Sequence, residues 1–236
     1  MLSAKLKTLT LISMSLVLGA CATAQKVKQI DHLDTVSENP RIIVMPPDIR
    51  YYLVTTSGIP EPHAEWTTAA RENFSSAVGE YAEAIGADVK ILDQSNLGET
   101  EVRYEELHSA VGFTVQDSYF GMNKLPTKGE TFDWSLGPGV QELAEQHDAD
   151  YALFVFYRDN QASGGRVAFA ILVAAATQSY VGAGSEGGFA SLVDLRTGEI
   201  VWFNNVTAGS GELRDPEGAK EAVAHLFKDM PASRDQ

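Results

Sequence analysis

The groups able to do chemistry in this 236-residue chain are five histidines, one cysteine, many carboxylates and one serine in a glycine-rich turn. The histidines are His32, His63, His108, His147 and His225. None falls in an HExxH pattern or beside a second histidine at ligand spacing, so the expectation is five surface histidines and no metal site. One cysteine forbids an intramolecular disulfide and any zinc site built on several thiolates. No Asp-x-Asp-x-Asp-Gly run exists, so no EF-hand calcium loop is present. Gly182-Ala183-Gly184-Ser185-Glu186-Gly187 has the letters of a dinucleotide loop. That loop needs a strand before it and a helix after it, so that the helix N-terminus meets the pyrophosphate. Here the glycines lead into a strand pattern, and Glu186 would repel phosphate. A glycine-rich loop feeding a hairpin is the expectation, with no cofactor.

Ala183-Gly184-Ser185-Glu186-Gly187 also has the form of a variant nucleophile elbow, with Asp194 or Asp215 and then His225 in hydrolase order. The strand-to-helix context of an elbow is missing, and His225 sits beside an apolar helical stripe. A lipid-anchored serine hydrolase therefore stays an alternative rather than the main reading, with the prediction that Ser185 and His225 meet. Two glycosidase-type carboxylates can be distant in sequence, and nothing singles out a pair.

The lone cysteine is better explained by its neighbours. Lys5 and Lys7 form a basic start, and Leu9 to Leu18 is an apolar stretch of about ten residues, too short to cross a bilayer as a helix. Leu18-Gly19-Ala20-Cys21 then resembles a bacterial lipobox. The resemblance implies cleavage before Cys21 and diacylation of its thiol, with palmitate-type chains as the anchor. Ala22 stands where Asp would imply inner-membrane retention, so the resemblance implies an outer-membrane lipoprotein facing the periplasm. The whole-chain charge of −14 becomes −16 once the two signal lysines are gone. Such an acidic domain has no basic surface for phosphate contacts, which excludes sequence-independent nucleic-acid binding.

The chain divides into a signal peptide at 1–20, a lipid-anchored polar tether at 21–40, an α/β domain at 41–230 and a tail at 231–236. Ile42-Ile43-Val44-Met45, stopped by Pro46-Pro47, reads as a buried strand. Pro60 and Pro62 mark a loop. Trp66, Ala69, Ala70, Phe74, Ala77, Val78, Tyr81, Ala82 and Ile85 predict a helix over 65–85, capped by Gly86. Val89 to Leu92 reads as a strand, and Tyr104, Leu107, Val111 and Val115 as a helix weakened by Gly112. A short helix passes through Val140 and Leu143. Tyr151-Ala-Leu-Phe-Val-Phe-Tyr157 is the strongest strand signal. Phe189 to Asp194 and Glu199 to Phe203 form a hairpin around Gly198, and Asp215-Pro216 starts the last helix. Five strands interleaved with helices predict a single three-layer-like α/β domain with a mixed sheet.

The segment 166–176 is apolar on all sides and too short for a membrane span. A buried helix or central strand is the first expectation. The functional alternative is a face for self-association or a partner, carried by Phe169, Ile171, Leu172 and Val173.

The lipobox, the Ile42 to Pro47 strand, Ala149-Asp150-Tyr151-Ala152-Leu153 and above all Ser191-Leu192-Val193-Asp194-Leu195-Arg196-Thr197-Gly198-Glu199-Ile200-Val201-Trp202 resemble a group of envelope lipoprotein domains. The group includes the curli-secretion channel subunit, the TolB amino-terminal domain and the lipoprotein activators of penicillin-binding proteins. The resemblance spans residues 41–230. It implies an anticodon-binding-domain-like fold and a non-catalytic assembly or interaction module of an envelope complex, with an envelope protein or a second copy as partner. It implies no catalytic residue. The alternating barrel hairpins of the curli channel have no counterpart here. A lipid or small-molecule carrier is a further alternative, which predicts a large apolar cavity.

Overall fold

The computed structural model describes residues 26–33, 40–84, 88–128, 131–179, 181–182, 184–206 and 211–231. Leu18, Gly19, Ala20 and Cys21 lie outside the described residues, as do Ile85, Gly86, Ala183 and most of the tail. In chain order the elements are β1 (Lys26–Lys28), β2 (Arg41–Val44), β3 (Asp48–Val54), β4 (Pro60–Pro62), α1 (Ala64–Ala84), β5 (Asp88–Ile91), α2 (Glu99–Val115), α3 (Gln141–His147), β6 (Tyr151–Ala162), α4 (Gly164–Thr177), β7 (Gly184–Asp194), β8 (Ile200–Val206) and α5 (Pro216–Leu226).

The spine is β6. Its residues alternate between two buried faces: Tyr151, Leu153, Val155 and Tyr157 join one apolar cluster, and Ala152, Phe154 and Phe156 the other. A strand covered on both sides reads as a continuous apolar run, which is why it was the clearest strand in the sequence. Along one edge β6 pairs in parallel first with β2 and then, after the Pro46-Pro47 bend, with β3. Along the other it pairs antiparallel with β7, which pairs antiparallel with β8. The result is one mixed eight-stranded sheet in a single α/β domain, with β1 and β5 ending its main strand order.

Helices α1 and α5 cover the first cluster through Phe74, Val78, Val223 and Phe227, and α2 and α3 cover the second through Tyr104, Val115 and Leu143. Gly112, which weakens the helical pattern of α2, faces Phe189, and a β-carbon there would overlap its ring. Glycine lets α2 lie this close to the sheet. In the β7–β8 turn, Gly198 has φ +81° and the Asp194 carboxylate accepts from the Arg196 amide at 2.8 Å. Helix α5 starts as read, with the Asp215 carboxylate accepting from the Gly218 amide at 2.9 Å.

Three strands differ from the sequence expectation. Pro60–Pro62 pairs with β3 at the sheet margin, where a missing N–H costs no ladder bond. Asp48–Val54 was hidden behind the two prolines. Lys26–Lys28, inside the segment read as a tether, pairs antiparallel with β8, and Leu33 is buried. The chain is therefore tied to the sheet from residue 26.

Candidate interaction surface

The long β6 stays paired to its end, with Val54 of β3 opposite Ala162 and Gly184 of β7 opposite Gln161, and the Ser163 amide donates to the Val54 carbonyl at 2.9 Å. Ser163 caps α4, its hydroxyl accepting from the Arg166 amide at 3.1 Å. The first turn of α4 rests on the β3–β4 turn: the Arg166 guanidinium lies against Gly58, and its Nε donates to the Gly182 carbonyl at 3.2 Å. At the far end Gln178 takes a left-handed conformation at φ +55° and its amide closes on the Ala174 carbonyl.

The expectation that segment 166–176 is a buried helix or central strand is corrected. It is a helix, and none of its residues is buried. An all-apolar run has no polar face to reveal which way it points, so its periodicity could not decide the matter. Val167, Phe169, Ile171 and Leu172 are exposed at 40%, 44%, 64% and 69% of their surfaces. Arg166, Ala170 and Val173, spaced by four and three residues, are partly covered. The helix thus leans on the domain along one narrow stripe and turns its bulky side chains to solvent. Of the four residues read as an interaction segment, Phe169, Ile171 and Leu172 point outward, while Val173 lies on the covered stripe. Val167 was missed, because it precedes the apolar centre of the run. Monomeric domains rarely leave bulky apolar side chains together in water.

Beside the base of α4 lies a polar network on the α1 side of the sheet. Arg214 grips the Glu212 carboxylate with two hydrogen bonds of 2.6 and 2.8 Å and donates to Gln161 at 2.9 Å. Its guanidinium sits 4.5 Å from the Trp66 ring centre, a cation–π contact. The Tyr51 hydroxyl donates to Glu212 at 3.1 Å. Hydrogen bonds from Arg214 hold the Glu212 carboxyl down at about 2. Burial pushes the neighbouring Asp159 carboxyl up to about 6. Each of these polar groups has a partner within the network, which clamps the loop before α5 onto β3 and β6.

A groove of about 890 Å³ opens between β3, β6 and α2. Three of its charges close on one another: Asp48 accepts from Arg158 at 2.6 Å and from Arg50 at 3.0 Å, and Arg158 stacks over Phe156 at 3.9 Å.

The histidines do not all lie at the surface. His32 and His225 are exposed, but His108 is buried, its Nε2 2.9 Å from the Ser191 hydroxyl and its ring stacked on Phe154. Burial pulls its pKa down to about 3. A serine and a histidine are thus joined, but both are sealed inside the second cluster, where no substrate carbonyl can reach them. His147 is paired with Glu101 at 2.7 Å. The hydrolase alternative fares worse still. Ser185 lies within β7 rather than at a strand-to-helix elbow, and its hydroxyl accepts from Asn160 at 2.9 Å. His225 is exposed on α5, on the helix that covers the opposite layer of the domain. The letters of the dinucleotide motif fail for the same reason, since Gly184 to Gly187 are strand residues. Among the described residues no cluster of metal-ligating side chains is found. The space enclosed in the first cluster between Phe74, Val155 and Leu226 is about 10 Å³, too small for a carried ligand.

No family model and no curated protein matches the sequence. Among solved structures the chain is similar to a PelC dodecamer from Paraburkholderia phytofirmans, at 12% identity and a TM-score of 0.37, covering 88% of this chain and 97% of that one. It is similar to the lipoprotein GNA1162 from Neisseria meningitidis, at 14% identity and a TM-score of 0.29, over 71% and 80% of the two chains. It is also similar to the LpoB C-terminal domain from Salmonella enterica, at 13% identity and a TM-score of 0.28, over 74% and 86%.

Proposed function

We propose that this chain is a lipid-anchored domain of the bacterial envelope that works by contact rather than by catalysis, as an assembly or interaction module. The observation that carries the reading is α4, a fourteen-residue helix with no buried residue, held out from the domain with Val167, Phe169, Ile171 and Leu172 in solvent. Four bulky apolar side chains on one short helix represent several kilocalories per mole of unfavourable exposure at about 25 cal/mol per Å². A surface of that kind is stable once something covers it. The Leu18-Gly19-Ala20-Cys21 motif supports placement at a membrane, and Ala22 supports the outer membrane.

Thiol accessibility tests the reading. Lipidation consumes the Cys21 thiol, so Ile171→Cys introduces the single reactive sulfur. A membrane-impermeant maleimide should label it much more slowly in isolated envelopes than in the purified, detergent-free Cys21→Ser chain. Val102→Cys, exposed on α2, should label at one rate in both. Equal rates for Ile171→Cys in the two preparations would remove the contact function of α4.

A further inference from the structure

The strand register fixes which end of the sheet faces the anchor. β1 runs antiparallel to β8, with Lys26 opposite Asn204. Asn204 is opposite Ala190 on β7, and Ala190 is opposite Val155 on β6. From that rung β8 continues to Val206 and β6 to Ala162, after which α4 begins. The chain before Lys26 therefore leaves the sheet at the end that carries α4. Cys21 precedes Lys26 by five residues, which span at most about 17 Å when fully extended. Sideways, β1 and β6 are three strand spacings apart, about 14 Å. Along the sheet, seven residues from Val155 to Ala162 cover about 23 Å. Lys26 is thus about 27 Å from the start of α4, so a lipid on Cys21 can come within about 10 Å of it, and the tie of β1 to β8 keeps that end of the sheet toward the anchor.

The chemistry of α4 suits a bilayer. Arg166 is the only charged residue from Gly164 to Thr177, and it stands at the first turn against the domain. The helix is about 21 Å long, short of the roughly 30 Å hydrocarbon core, and no described helix is long and apolar enough to cross a membrane. A helix of this length and composition lies within one leaflet, with the domain serving as its polar side.

We infer that α4 embeds in the lipid leaflet that holds Cys21, as a second membrane contact beside the acyl chains. The inference rests on the lipid-anchored contact reading above and names lipid as what covers Val167, Phe169, Ile171 and Leu172. Once the acyl chains are inserted, entry of α4 is an intramolecular step and needs little intrinsic affinity.

The test uses the full lipidated chain in vesicles of phosphatidylethanolamine and phosphatidylglycerol. Leu172→Cys carries an environment-sensitive fluorophore, and Glu221→Cys on α5 serves as the control. The fluorophore at 172 should shift to the blue and be quenched by lipids doxyl-labelled on the acyl chain, and that at 221 should do neither. In the Cys21→Ser background, Ile171→Asp with Leu172→Asp should weaken vesicle partition about tenfold or more, with an unchanged circular dichroism spectrum showing that the fold persists. A fluorophore at 172 that stays aqueous, or that is shielded by self-association without doxyl quenching, overturns the inference. Mass spectrometry of the amino-terminal peptide separates the two levels. A missing acyl mass on Cys21 removes the anchored reading itself, while an acyl mass with no quenching at 172 removes the leaflet alone.

Discussion

Two buried ionisable groups should make stability depend on pH in opposite directions. Asp159, raised to about 6 by burial, binds its proton more tightly folded than unfolded. Its favourable contribution is complete below about pH 4 and is lost as pH rises through about 6. His108, lowered to about 3, is held neutral in the fold. Its contribution is complete above about pH 6.5 and is lost as pH falls toward about 3. Urea unfolding across this range should show Asp159→Asn more stable than the parent above pH 6, with the gap closing toward pH 4. The pair His108→Leu with Ser191→Ala should lessen the acid-side decline, leaving the share that Glu212 contributes, without leaving an unpaired hydroxyl. Gly112→Ala should cost about 1–3 kcal/mol, because a methyl there strikes Phe189 rather than open space. Little of this was readable in sequence. His108 sits between Leu107 and Ser109 on α2, and its burial follows from the approach that Gly112 permits. Gly112 itself looked like a flaw in a helix and is the reason the helix fits.

At the scale of elements, α1, α2, α5 and the β7–β8 hairpin were legible because each carries a period, a cap or a turn residue of its own. Strands β1, β3 and β4 were not. β1 and β3 are paired by distant partners, β8 and β6, and β4 only by β3, and their prolines and lysines resemble loop chemistry locally. The 166–176 run was legible as unusual and misread as buried, since apolar residues on every side say nothing about which side is covered. Its exposure follows from where it leaves the sheet, at the paired end of β3, β6 and β7, a property of the sheet. The replacement of Ile171 and Leu172 by Asp should leave the melting temperature within about a degree or two, since exposed positions contribute little to the folded core. A large fall in melting temperature would mean that α4 packs within the domain.

The molecule as a whole combines an acidic chain, a cysteine motif ahead of β1, and an apolar helix at the end of the sheet from which β1 enters. The net charge of −16 expected without residues 1–20 repels an anionic bilayer, so close approach needs hydrophobic contacts strong enough to offset it. Cys21→Ser should move the chain from the membrane to the soluble fraction on cell fractionation. Adding Ile171→Asp should remove whatever membrane-bound remainder α4 alone retains. Sequence reading gave the α/β domain and proposed an anchor at Cys21. It could not show that β1 enters the sheet from the end that carries α4, because that depends on the direction of β1 along β8.

The central claim is that α4 is covered when the protein is in place. A photo-crosslinking amino acid at Ile171 of the lipidated chain, activated in living cells, tests it most directly against the same residue at Glu221. Adducts are expected from position 171 and none from 221. Position 171 giving no more adduct than 221 would contradict it.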